Sequence, residues 1–110
     1  MILNRLVITQ GDPLRFRVNH TENGEPYELG KNEKYFFAVG LENSEEPMLF
    51  YTFNYNPDFD MQLTIEEGSY VFEVGIVDDE TGVSRVILPA FDERRRPLNQ
   101  FLVLRRIYDV

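Results

Sequence analysis

An all-β fold, an antiparallel sandwich of about seven to eight short strands with little or no helix, is what this sequence predicts. Three observations predict it. Apolar and polar residues alternate with a period of two over most of the chain, as in "PLRFRV" and "YVFEVGIV". The breaks between the alternating runs hold Gly, Pro, Asn and Asp. No window of helix length shows a 3.6-residue apolar period free of Gly or Pro.

The elements follow in order. The apolar start up to Ile8 is a first strand, which Gln10-Gly11-Asp12-Pro13 turns into a second. Gly11 is free to take positive φ there, and Pro13 sets the entry to the next strand. Leu14, Phe16 and Val18 then face the core while Arg15, Arg17 and Asn19 face outward. The two arginines either protect a sheet edge from unwanted pairing, the favoured reading, or meet carboxylates of a partner. Asn23-Gly24 is a tight hairpin turn. Strands follow at Tyr35 to Glu42, Met48 to Tyr55, Gln62 to Ile65, Tyr70 to Val77, Val83 to Leu88 and Gln100 to Tyr108. Asn56 to Asp60 is a Pro-containing bend, and Asp78 to Gly82 is a hairpin loop with Gly82 in the left-handed position.

At 110 residues the chain forms a single domain, 1–110, with no linker or internal repeat. Nine Phe and six Tyr supply the bulk of a core that needs no disulfide, and there is no cysteine to form one. The net charge of −8 disfavours nucleic acid, whose phosphates repel such a surface. No apolar run has the length of a membrane-spanning helix, and "MILNRLVITQ" lacks the regions of a signal peptide. The expectation is an acidic protein made in the cytoplasm, with no membrane partner.

Candidate chemistry is sparse. His20 is a turn or surface residue, and Ser44, Ser69 and Ser84 lack the strained Gly-x-Ser-x-Gly elbow of a nucleophile. Asp58 with Asp60, and Asp78, Asp79 and Glu80, do not follow the calcium-loop spacing, and turn aspartates ordinarily bond their own backbone. No catalytic residue, metal or cofactor is expected, and a small-molecule ligand is not anticipated. The candidate interface residues are of two kinds. Arg94, Arg95, Arg96, Arg105 and Arg106 form basic islands in an acidic chain, suited to docking on carboxylates or else solvated beside Asp92 and Glu93. Met48, Phe50 and Phe36 lie on the second face of strands that are apolar on both sides. That face lies either under a loop or against another subunit.

Ile8-x-Gln10-Gly11-Asp12-x-Leu14-x-Phe16-x-Val18, followed by Gly24-x-Pro26-x-x-Leu29, resembles the start of the N-terminal module of phage upper baseplate proteins. Gly68-x-Tyr70-x-Phe72-x-Val74 is similar to a later strand of that module, and Val83 to Phe91 to its penultimate strand. The resemblance covers Ile8 to Phe91; the segment after Phe91 is longer and more basic than the family pattern. It implies a non-catalytic structural part of a phage or prophage virion, in tail, baseplate or connector. Its partners would be other virion proteins or itself, as a homo-oligomer, located in the virion and in the host cytoplasm during assembly. Leu63-x-Ile65-x-Glu67-Gly68-x-Tyr70-x-Phe72 also resembles the immunoglobulin pattern, without its Trp and Cys pair. The alternative reading is a standalone Ig-like or carbohydrate-binding module, in which exposed aromatics stack on sugar, with Tyr51, Tyr55 and Phe59 the candidates.

Overall fold

β8 (Gly68–Asp78) is the axis around which the other strands are arranged. The computed structural model describes residues 2–16, 18–44, 46–54 and 65–107, together with the backbone of 59–62. Its strands are β1 (Asn4–Thr9), β2 (Pro13–Phe16), β3 (Thr21–Glu22), β4 (Glu25–Pro26), β5 (Glu33–Gly40), β6 (Leu49–Phe53), β7 (Phe59–Gln62), β8, β9 (Ser84–Leu88) and β10 (Asn99–Leu104). No helix occurs among the described residues. The all-β sandwich expected from alternation is the fold observed.

The main sheet runs β1-β10-β8-β5-β6, and β9 also pairs with β8. β8 is long enough to serve two neighbours on one side. Gly68 to Val71 pair with β10, and Val74 to Val77 pair with β9. A two-stranded sheet, β2 with β7, forms the second layer, and β3 with β4 is a small hairpin. That hairpin turns at Asn23 and Gly24, both with positive φ, as the dipeptide requires.

Two elements depart from expectation. β1 pairs with β10 in parallel, with Asn4 opposite Asn99 and Thr9 opposite Leu104. The partners come from the two ends of the described chain, so no hairpin dictates their direction. Of the strand expected at Gln62 to Ile65, Gln62 closes β7, which begins already at Phe59, and Leu63 and Thr64 lie outside the described residues. Arg17, Tyr55, Asp58 and the bend expected around them, and Tyr108 also lie outside the described residues.

Between the layers sit Phe37, Val39 and Phe101, all fully buried, with Leu14, Ile65, Tyr70, Phe72, Val74 and Val103 around them. Phe16 of the second layer reaches the Phe37 ring at a centroid distance of 5.0 Å. Asn99 is the buried polar residue of this interior. Its Oδ1 accepts from Asn4 Nδ2 at 2.7 Å and its Nδ2 donates to the Pro89 carbonyl at 2.7 Å, so its burial costs little. Tyr70 buries its ring and donates its hydroxyl to the Glu66 carbonyl at 2.8 Å.

The Gln10-Gly11-Asp12 turn is held from the far end of the chain. Arg106 donates through Nε to the Gln10 carbonyl at 2.6 Å and through its guanidinium to Asp12 Oδ1. Gly11 has φ +83°, and a Cβ there would stand 3.6 Å from Arg106 Nε. The Gly therefore serves the turn conformation, while the guanidinium closes the turn against the end of β10.

Candidate functional site

Side chains alternate across each strand, so burial of Phe37, Val39, Phe72 and Val74 on the inner face sends Phe36, Ala38, Val71 and Glu73 to the outer one. The same alternation places Val7 of β1, Leu102 and Leu104 of β10, Phe50 of β6 and Val86 of β9 on that outer face. The β5–β6 loop covers one end of it, where a Cβ on Gly40 would stand 3.3 Å from the Glu46 carbonyl oxygen and 3.8 Å from Pro47 Cα, and the apolar side chains at its centre, Phe36, Ala38 and Val71, are buried. Phe50 is 53% exposed, Leu104 50% and Val7 49%, and Met48 and Val86 are nearly as open.

Glycine makes this face possible. Gly75 sits opposite Phe36 on β5 and Val86 on β9. The Phe36 ring lies over it, where a Cβ would come within 2.4 Å of the ring. Phe50 stacks on Phe36 at 5.4 Å and 20°. Phe36 is thus only 3% exposed. Of the three apolar interface candidates, Met48 and Phe50 are presented to solvent, while Phe36 supports Phe50 from beneath.

Glu73 is the carboxylate in the middle of this face. Its row of the sheet contains Ala38 and Phe50, and Val71 and Gly75 flank it along β8. It has no hydrogen-bond or ion-pair partner among the described residues, and burial alone pushes its carboxyl above the usual carboxylate range. A carboxyl raised in the native state binds its proton more tightly there than in the unfolded chain. Its contribution to stability is therefore present below the ordinary glutamate value and is lost as pH rises through the native one. Glu73→Gln consequently melts a few degrees above the wild type at pH 7, and the gap closes near pH 3.5, below the ordinary glutamate value of about 4.3. Thermal unfolding at the two pH values checks this; an equal gap at both would contradict it.

The basic islands are placed apart. Arg94, Arg95 and Arg96 lie in the loop before β10, and Arg105 and Arg106 follow its other end. Asp92 organises the first island: its Oδ1 accepts from the Arg94 and Arg96 amides, and its Oδ2 accepts from Arg96 Nε at 2.9 Å. Those bonds, the Arg96 amide foremost, hold the Asp92 carboxyl below its usual value. Arg95 lies over the Phe91 ring at 5.9 Å. Arg106 is committed to the Gln10-Gly11-Asp12 turn, and Arg105 is exposed. Arg96 and Arg106 have carboxylate partners among the described residues, Asp92 and Asp12.

An open cleft of about 920 Å³ lies beside the β3–β4 hairpin, lined by Asn19, His20, Tyr27, Glu33, Tyr35 and Asn54 among others. A smaller cavity of about 360 Å³ shares Val18, Asn19 and His20 with it. His20 is half-buried, its ring 5.0 Å from Tyr27 and 6.2 Å from Tyr35, with Nδ1 3.4 Å from the Tyr35 hydroxyl. Tyr27 donates its hydroxyl to Glu33 Oε1 at 2.6 Å, which lowers the Glu33 carboxyl and raises the phenol. Arg85 covers the Tyr27 ring and grips both oxygens of Glu22, at 2.7 and 3.3 Å. These bonds tie the hairpin, β5 and β9 together. His20 is part of that packing, a role that its position beside Asn19 and Thr21 did not signal.

The acidic turn is likewise engaged. Asp78 Oδ1 accepts from the Glu80 and Thr81 amides, Asp79 pairs with Lys34 at 2.9 Å, and Glu80 accepts from Asn32. Asp78 thus bonds its own backbone as turn aspartates do.

The structure is an all-β sandwich whose main sheet exposes apolar side chains at the rim of its outer face. No protein-family model, curated protein or solved structure matches the chain.

Proposed function

We propose that the chain is a non-catalytic assembly component of a phage or prophage virion, of tail, baseplate or connector type, acting by protein–protein contact. The observation that carries the assembly reading is the outer face of the main sheet, with Met48, Phe50, Val7, Val86 and Leu104 exposed around a buried floor of Phe36, Ala38 and Val71. Large apolar side chains held half-exposed on one sheet face are the mark of a docking site. The virion reading is supported by the resemblance of Ile8 to Phe91 to the phage baseplate module. The partners are other virion proteins or further copies of the chain, and the site of action is the particle, reached from the host cytoplasm.

The sugar-binding alternative loses one of its stacking residues, because Tyr51 packs against the core. Tyr55 and the Phe59 side chain are outside the described residues.

The test is to induce the producing lysogen, purify particles on a density gradient and quantify the chain in each fraction by mass spectrometry. It is expected to sediment with the particles at a fixed ratio to the other tail proteins. Its confinement to the soluble fraction would overturn the virion reading.

A further inference from the structure

We infer that the outer face of the main sheet takes a partner surface that is apolar with a single cation at its centre, the cation pairing with Glu73. This rests on the docking reading above and names the chemistry of its partner.

The argument is one of charge. A half-buried carboxylate among apolar neighbours is unfavourable unless something pairs with it. Among the described residues, the cations near this face are committed at its rim. Arg5 donates to Gln100 Oε1 at 2.9 Å, and Lys34 pairs with Asp79 at 2.9 Å. Arg85, opposite Ile76, reaches Glu22 and Tyr27 instead. Glu73 itself stands in the row of Ala38 and Phe50, two strands from Arg5, which is opposite Gln100 and through it Val71. An arginine or lysine arriving on an apolar partner pairs with a carboxylate that the fold has already partly desolvated, so less of the attraction is spent on removing its water.

The same geometry disfavours a second copy. Two such faces packed together lie about 10 Å apart, and each brings an unpaired central carboxylate into an apolar interface. The net charge of −8 on each chain adds repulsion at longer range. Glu73 is thus a selective element: it keeps like faces apart and rewards a cationic one.

The experiment titrates two peptides, acetyl-Val-Leu-Arg-Leu-Val-amide and its Glu-centred counterpart, into the ¹⁵N-labelled full chain at pH 7. The Arg peptide is expected to bind about 5-fold more tightly, the worth of one partly exposed ion pair. It should shift the amides of Val71, Glu73 and Ala38, and Glu73→Gln should abolish the preference while leaving the rest of the spectrum unchanged. Equal binding of the two peptides, or shifts confined to the His20 cleft, would overturn the inference. Light scattering of the wild type supplies the other arm. A monomer is expected, and a dimer dissolved by Phe50→Asp would make a second copy the occupant instead. Neither arm depends on where the chain is found in a particle, so the virion reading and this one fail separately.

Discussion

Replacing Phe37 with alanine lowers the stability of the domain by about 4 kcal/mol, within the ~3–5 kcal/mol range for emptying a buried phenylalanine site. The ring is fully buried. It touches three other phenylalanines, with centroids at 5.0 Å to Phe16, 5.7 Å to Phe72 and 6.2 Å to Phe101. These come from β2, β8 and β10, so one side chain joins the second layer to the adjacent strand β8 and to β10 beyond it. The surrounding strands are hydrogen-bonded into their registers and close only partly around the void. A loss of that size is a large share of the roughly 5–15 kcal/mol that keeps a domain folded. Guanidinium denaturation reads it as a fall in midpoint at an unchanged slope. Phe50→Ala is the control: its ring is 53% exposed, and the change costs about 1 kcal/mol or less. If the two variants unfolded at the same midpoint, Phe37 would not be the centre of this core.

What the residues themselves disclose follows from the same geometry. Alternation identifies Leu14, Phe37, Phe72 and Phe101 as members of inner faces, because a period of two fixes which residues share a side. Asn23-Gly24 and Gly82 were legible for a similar reason: few residues take positive φ cheaply, and these do, at 55°, 81° and 76°. Alternation says nothing of which strand lies next to which. The parallel pairing of β1 with β10 was therefore hidden, as was the closure of the Gln10-Gly11-Asp12 turn by Arg106, since both join residues some 95 positions apart. Glu73 shows the boundary of such reading. Its place opposite the inward Phe72 and Val74 could be seen in "YVFEVGIV", but its enclosure by Ala38 and Phe50 depends on the neighbours β5 and β6. Strand β5 was equally ambiguous, with apolar residues on both sides. The structure resolves it through Gly75, which lets Phe36 lie flat against the sheet.

That glycine carries the second large effect. Alanine is ordinarily preferred to glycine inside a strand by about 0.5–1 kcal/mol, through the entropy of the unfolded chain. At position 75 the sign reverses. An added Cβ would stand 2.4 Å from the Arg85 carbonyl oxygen and 2.4 and 2.5 Å from two atoms of the Phe36 ring. The first obstacle is backbone and cannot rotate away, so β9 must separate from β8; the second is a buried ring already stacked on Phe50. The register shift between Val74 and Gly75 places this crowding at the irregular point of the β8–β9 ladder. Gly75→Ala is therefore expected to cost about 3 kcal/mol, the upper part of the usual overpacking range, and to lower the melting temperature by about 12–15 °C. Hydrogen exchange should show protection lost first at the β9 amides. Adding Phe36→Ala removes the ring but leaves the carbonyl in place. The double variant should then be less destabilised than the sum of the two single changes, yet still weakened in the β8–β9 ladder. Strict additivity would mean that the ring had never been pinned over Gly75, and the floor of the outer face would need a different explanation.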